Sequence, residues 1–490
     1  MKIKEISMKK PILIIERYDG IYKSAVNLLS GRLSGYIGGV LPIKLADAVS
    51  ADTLASRDAV IVGSFDAPLI ADLCDLGLIT KDTQSESYSI YVGKHPKGES
   101  ELIVIAGADG KGVLYGCADL INRYCGSELW MDGYLWQTDR FDRPFDKPLR
   151  PYRANSSPAI ARRAIWTWGH VIYDYRGFFD NMALLRLNEI VIWNDRVPFN
   201  ARDVVDYAHS LGIKVIWGFA WGWSTKCEEL ALRFDRATLD SIKQSVLATY
   251  ERDYADVGGD GIYFQSFTEM SREEVDGKSV AELVTELVNE TASELLSRHP
   301  ELHIQFGLHA TSVKSRLDVI AKVDPRIYIV WEDCGAFPYA YRTHETADSE
   351  QMLALTETLI GLRGEDERFG AVLKGMLNLD WMNFEHFEGE YILGERSREY
   401  RRERALSKDK IWKTVQGGWI RNAELVRRTV EIMAKNQHAV VEALVEDAML
   451  EEKIAFPVAL LAELLWDPSA DTGSLIEQIS KFPSVSFSNL

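Results

Sequence analysis

Residues 258–270 read Gly-Gly-Asp-Gly-Ile-Tyr-Phe-Gln-Ser-Phe-Thr-Glu-Met. Gly258, Gly259 and Gly261 bracket Asp260 at a turn. Ile262–Phe264 is then a short apolar run bounded by turn residues, the pattern of a buried parallel strand. Glu269 follows at the carboxyl end of that strand. A carboxyl group there, among aromatics, is a candidate general acid, because burial raises its pKa towards the working pH. Comparable strand-end positions hold Trp168 and His170, Asn194 and Asp195, Trp221 and Trp223, Gln265, His309, Glu332 and Asp333, and Asn378, Asp380 and Trp381. Such a set suits a sugar: indoles stack on pyranose faces, amides, imidazoles and carboxylates read hydroxyls, and two carboxyl groups flank the scissile bond. The partner of Glu269 is Glu332, Asp333 or Asp380. Asp333 is favoured, because Trp331-Glu-Asp-Cys-Gly335 turns sharply after a strand and one of two adjacent acids should face inward. Were both inside, repulsion would raise one pKa, so Glu332 is alternatively an ion-pair partner. Arg163, Lys374 or Arg196 could receive a uronate carboxylate. The chemistry requires no cofactor and no metal.

These residues need a scaffold that gathers strand ends, and the order of elements from about residue 152 supplies one. Strands are expected at Ala164–Trp168, Glu189–Trp193, Lys214–Phe219, Ile262–Phe264, Leu302–Phe306, Arg326–Trp331 and Ala371–Leu377. Helical runs separate them, among them Phe178–Leu187, Val204–Leu211, Thr238–Tyr254, Val280–Arg298, Val313–Lys322 and Gln351–Leu362. Strictly alternating strands and helices imply a parallel sheet. Seven such units in series point to a (β/α)8 barrel, whose active face is the carboxyl end of its strands. The eighth strand is either short or supplied by Ala455–Leu465. A doubly wound sheet is disfavoured, since no early glycine fingerprint marks a dinucleotide crevice.

Before the barrel, Lys10–Glu16, Ala59–Gly63, Tyr88–Val92 and Leu102–Ala106 read as strands, and Ala67–Leu78 and Val113–Tyr124 as helices. Gly107-Ala-Asp-Gly-Lys-Gly112 joins the last strand to the last helix. Its spacing is neither the dinucleotide fingerprint nor a phosphate-binding loop, and it is expected to be a tight turn. The fold class is therefore α/β: a small non-catalytic α/β domain over residues 1–148, a catalytic TIM-type barrel over 152–422, and a C-terminal helical segment over 423–490 packed on or completing the barrel.

Composition narrows the partners. The 490-residue chain is 46% hydrophobic and 26% charged, ordinary for a globular protein of two or three domains. A formal net charge of -17 argues against a nucleic-acid partner. No window has the apolar length of a membrane span. The five cysteines form no Cys-x-x-Cys pair, and the N-terminal residues lack an apolar core of signal-peptide type, so a cytoplasmic location is expected. The expected partner is a small carbohydrate; a homo-oligomer is compatible.

Two segments carry a family resemblance. Ile105-Ala-Gly-Ala-Asp109 followed by Gly112-Val-Leu-Tyr-Gly116 resembles the small α/β domain that precedes the barrel in family 20 hexosaminidases and family 67 α-glucuronidases. Asp260-Gly-Ile-Tyr-Phe-Gln-Ser-Phe-Thr-Glu269 is similar to the fourth-strand segment of family 67 α-glucuronidases, which implies that Glu269 is the general acid. Trp466-Asp-Pro-Ser-Ala-Asp471 resembles a Trp-Asp/Asn-Pro segment near the end of the catalytic part in this group. In family 20 and family 84 enzymes the fourth strand ends in two adjacent carboxylates, one orienting a substrate acetamido group; here Thr268 precedes Glu269, which counts against substrate-assisted chemistry. The resemblance implies a glycoside hydrolase of small oligosaccharides, acting on an acidic or an N-acetylated sugar. Two alternatives stand beside it: a metal-dependent barrel hydrolase or isomerase using His170, His309 and nearby acids, and a non-catalytic carbohydrate-binding barrel.

Overall fold

The computed structural model describes residues 5–37, 40–124, 149–194, 196–222, 235–269, 272–309, 312–332, 348–364, 367–376, 389–482 and 484–488, with Glu269 described in its backbone only. The N-terminal unit is a six-stranded mixed sheet. Ile12–Ile15, Ile43–Leu45, Ala59–Ser64 and Glu101–Gly107 run parallel, while Tyr88–Lys94 pairs antiparallel with Glu101–Gly107 and with Tyr152–Ser156. Tyr152–Ser156 thus belongs to this sheet. Alternate residues of the first strand serve two cores: Leu13 and Ile15 pack under helices Gly20–Ile37 and Gly110–Tyr124, while Ile12 and Ile14 face helix Pro68–Asp75.

The second unit is a closed eight-stranded barrel in which every neighbouring pair is parallel. Its strands in order are Arg162–Trp168, Glu189–Trp193, Lys214–Gly218, Gly261–Gln265, His303–Leu308, Ile327–Trp331, Phe369–Leu373 and Val440–Leu444. The eighth closes the ring between the seventh and the first. The expectation of a strand over Ala455–Leu465 is corrected: Phe456–Trp466 is a helix, buried on all sides. Its Leu- and Ala-rich composition favours a helix over the β-branched content of a strand. The seventh strand also ends at Leu373, earlier than expected, because Lys374, Gly375 and Met376 already turn away.

Period-two alternation divides the barrel side chains. Ala164, Trp166 and Trp168 point inward with Val191, Trp193, Ile216, Tyr263, Val330, Val372 and Leu444, while Ile165, Ile190, Phe264 and Phe306 pack outward beneath the helices. Glycine makes room for an inward ring: a Cβ on Gly218 would lie 2.6 Å from the Trp193 ring.

The two units meet through buried charge. Glu86 of the first domain accepts from Arg163, Lys111 and Asn188. Burial alone would raise the Glu86 carboxyl, yet the charges of Arg163 and Lys111 hold it down at about 2. Trp466 donates its indole N–H to Ser156 at 2.6 Å and packs edge-on against Tyr115. Arg163 is therefore corrected as a candidate for a sugar carboxylate. It stands at the amino end of the first strand, fully buried at 0% exposure, and is committed to Glu86.

Candidate active site

Strand six delivers Glu332 as the first residue past its carboxyl end, and the neighbouring strands converge on it. Tyr263, inward-facing on strand four, donates its hydroxyl to Glu332 Oε1 at 2.6 Å. Gln265, the last residue of that strand, places its amide nitrogen 2.8 and 2.7 Å from the two carboxylate oxygens. His309, just past strand five, holds Nε2 at 2.7 Å from Oε2. Lys374, just past strand seven, donates to the same oxygen at 3.3 Å. Gly307 leaves the space for this cluster, since a Cβ there would sit 2.1 Å from Glu332 Oε1 and 2.6 Å from the Tyr263 hydroxyl.

Glu332 is 2% exposed. Burial would push its carboxyl up, but the charges of His309 and Lys374 and the hydrogen bonds from His309 and Tyr263 outweigh it and hold the group well below the usual carboxylate range. Glu332 is therefore held in its ionised form. A carboxylate so held does not donate a proton; it fixes the positions of its donors. The Tyr263 hydroxyl is pushed far up by burial and by the Glu332 carboxylate, so it remains a donor.

An aromatic wall continues from Tyr263. Its ring meets Trp166 edge-on at 5.8 Å and Trp193 edge-on at 6.1 Å. Trp166 and Trp193 stack at 6.0 Å, and Trp168 meets Trp166 edge-on at 4.9 Å. Trp168 in turn lies tilted against the half-buried His170. Asn194 is half-buried beyond strand two, where its carbonyl accepts from Tyr254 at 3.3 Å.

The backbone of Glu269 ends a 3-10 turn, Phe267–Glu269, that begins two residues past strand four. Thr268 Oγ1 accepts from the His309 N–H at 3.1 Å, and Ser312 donates its hydroxyl to the Thr268 carbonyl at 2.8 Å. The turn carrying Glu269 and the carboxylate of Glu332 are thus anchored to one residue, His309. Thr268 is itself wholly buried.

Of the residues expected to bind substrate, Trp221 is corrected: it is 0% exposed and stacks on outward-facing Phe264 with ring centroids 3.6 Å apart, so it belongs to the layer between barrel and helices. Asp195, Trp223, Asp333, Asn378, Asp380 and Trp381 lie outside the described residues. Lys374 is bound to Glu332, whereas Arg196 is exposed. Tyr263 and Trp166 were not anticipated. The signal for both was the two-residue period that aligns Tyr263 with Gln265 and Trp166 with Trp168. Among the described residues no group of three or more His, Cys, Asp or Glu side chains is placed to hold a metal, and no helix is long and apolar enough to cross a membrane.

No family model and no curated protein sequence matches the chain. Solved structures share its fold. A GH20 beta-N-acetylhexosaminidase from Streptomyces coelicolor A3(2) aligns with a TM-score of 0.52 at 11% identity, over 98% of this chain and 93% of that one. A glycoside hydrolase family 20 beta-N-acetylglucosaminidase aligns with a TM-score of 0.50 at 10% identity, over 99% and 97%. At such identities the likeness is one of fold, and it spans both domains.

Proposed function

We propose that the chain is a glycoside hydrolase of small oligosaccharides, with Glu269 as the proton donor and a second carboxylate as its partner. The observation that carries the reading is the cluster at the carboxyl end of the barrel strands: an ionised Glu332 fixed by Tyr263, Gln265, His309 and Lys374, flanked by the Trp166–Trp193 wall and tied through His309 to the turn that ends in Glu269. Since Glu332 is saturated with donors, we assign the partner role to its neighbour Asp333, with Asp380 as the other candidate. Separations of about 5 Å and of about 6.5–9.5 Å between the two carboxyl groups would distinguish retention from inversion.

The first substrates to test are N-acetylhexosaminides. The two fold neighbours are a beta-N-acetylhexosaminidase and a beta-N-acetylglucosaminidase. For a uronate, Arg163 serves the domain seam and Lys374 serves Glu332, which leaves the exposed Arg196 to receive the sugar carboxylate. With buried Thr268 where an adjacent carboxylate would orient an acetamido group, two enzyme carboxylates rather than the substrate do the chemistry. A panel of aryl glycosides in both anomers, carrying N-acetylated, uronic and neutral sugars, tests this. Turnover of an N-acetylhexosaminide is expected. Turnover confined to a uronide would overturn the substrate assignment, and binding of a sugar without turnover of any glycoside would overturn the enzymatic one.

A further inference from the structure

The amino end of the barrel holds a hydrogen-bond arrangement that one protonation assignment satisfies. His303 opens strand five. Its Nδ1 lies 3.1 Å from Arg162 Nη1, and its Nε2 lies 3.2 Å from Lys214 Nζ. A guanidinium donates and cannot accept, so Nδ1 must be the acceptor. A neutral imidazole accepting at Nδ1 carries its proton on Nε2. That proton faces Lys214 Nζ, and an ammonium has no lone pair to receive it. An imidazolium would instead set a proton against Arg162. All contacts are satisfied when His303 is neutral and Lys214 is an amine.

The surroundings favour the same assignment. Arg162 comes from strand one, Arg368 precedes strand seven, and Lys111 comes from the first domain. Burial and then the Arg162 charge, with Arg368 adding to it, push His303 down. Burial, then Arg162, lowers Lys214 against the opposing pull of Glu189 and Asp260. Both of those carboxylates are engaged elsewhere. Glu189 accepts from Arg162 at 2.6 Å and from Gln305 at 2.6 Å. Asp260 contacts His209 at 2.8 Å and accepts from the Val215 N–H at 2.9 Å. Lys214 is half-buried, so solvent reaches it.

We propose that Lys214 is a neutral, nucleophilic amine and an acylation site for a small activated acyl donor of the acyl-phosphate class. Of the neighbouring cations, Arg162 is held by Glu189 and Lys111 by Glu86, which leaves the half-buried Arg368 to meet a donor that is anionic. In the step, the Nζ lone pair attacks the acyl carbon and forms a C–N bond. The C–O bond to phosphate breaks, phosphate leaves with the electron pair, and the amine nitrogen gives up one proton to solvent. The amide oxygen then offers the His303 Nε2–H an acceptor in place of the lost lone pair.

The test treats the full chain with acetyl phosphate at pH 7 and pH 9 and reads acetylation of the Lys214 peptide by mass spectrometry, with Nα-acetyl-lysine as standard in the same tube. An ordinary amine, protonated at both pH values, gains about a hundredfold in rate over two pH units. Lys214 is expected to be labelled at pH 7 and to gain less than about tenfold. This ratio does not depend on how accessible the site is. A gain near that of the standard, or no labelling of Lys214 at either pH, would overturn the proposal.

Discussion

Glu332 and Glu442 lie in one barrel interior, 2% and 0% exposed, and their chemistry is opposite. Glu332 stands at the carboxyl end, where Gln265, His309 and Lys374 at the strand termini reach it. Glu442 sits mid-strand on the eighth strand, level with Ala164 on one side and Val372 on the other. Among the described residues, neither of its oxygens has a hydrogen-bond partner. Burial, and then the nearby Glu189 and Glu332 charges, push its carboxyl well above the ordinary range, so it is a neutral acid. The comparison shows that height along the barrel decides what a buried carboxyl becomes. The mouth supplies donors because strand ends there carry polar side chains; the strand neighbours of Glu442, Ala164 and Val372, are aliphatic.

Removing one donor at the mouth should have the largest effect on stability. Lys374→Met deprives a buried carboxylate of a positive neighbour and is expected to cost about 3 kcal/mol in chemical denaturation. A loss below 0.5 kcal/mol, to order of magnitude, would mean that Glu332 is not held by charge. Next comes Gly307→Ala, which puts a methyl group on the Glu332–Tyr263 contact and is expected to cost about 1–3 kcal/mol through overpacking. Thermal melts of that variant would sharpen the claim that glycine shapes the mouth. The smallest effect is expected at the middle, and it has the opposite sign. The raised Glu442 carboxyl means that the native state keeps a proton that the unfolded chain releases above its ordinary value of 4.5. The native state is therefore penalised increasingly as pH rises above that value, and the penalty is absent below it. Glu442→Met should stabilise the protein at pH 8 by about 1–2 kcal/mol, with the gain shrinking towards pH 4. A destabilised variant at pH 8 would show that Glu442 stabilises the folded state and is not a penalised neutral acid.

The same contrast explains what the sequence disclosed. Seven barrel strands stand out as apolar runs between turn residues, and Glu189–Trp193 is delimited to the residue. The eighth, Val-Val-Glu-Ala-Leu, is broken by Glu442 and so lacks an apolar signature. Strand ends located Glu332, His309 and Gln265, because their place follows from chain order. Whether a side chain turns inward does not follow from it: Trp221 follows strand three yet packs on outward-facing Phe264. Arg163 is an error of polarity of the same kind, since it begins a strand rather than ending one. Tyr263 was hidden in an apolar run, where a buried hydroxyl looks like any core aromatic.

The central claim is that the turn after strand four carries the proton donor, and Glu269→Gln tests it most directly. On a glycoside with a poor leaving group the variant should lose about 10²–10⁴-fold in kcat, and much of that loss should disappear with a dinitrophenyl leaving group that needs no protonation. Wild-type rates in Glu269→Gln on both substrates would contradict the account and place the acid elsewhere at the barrel mouth.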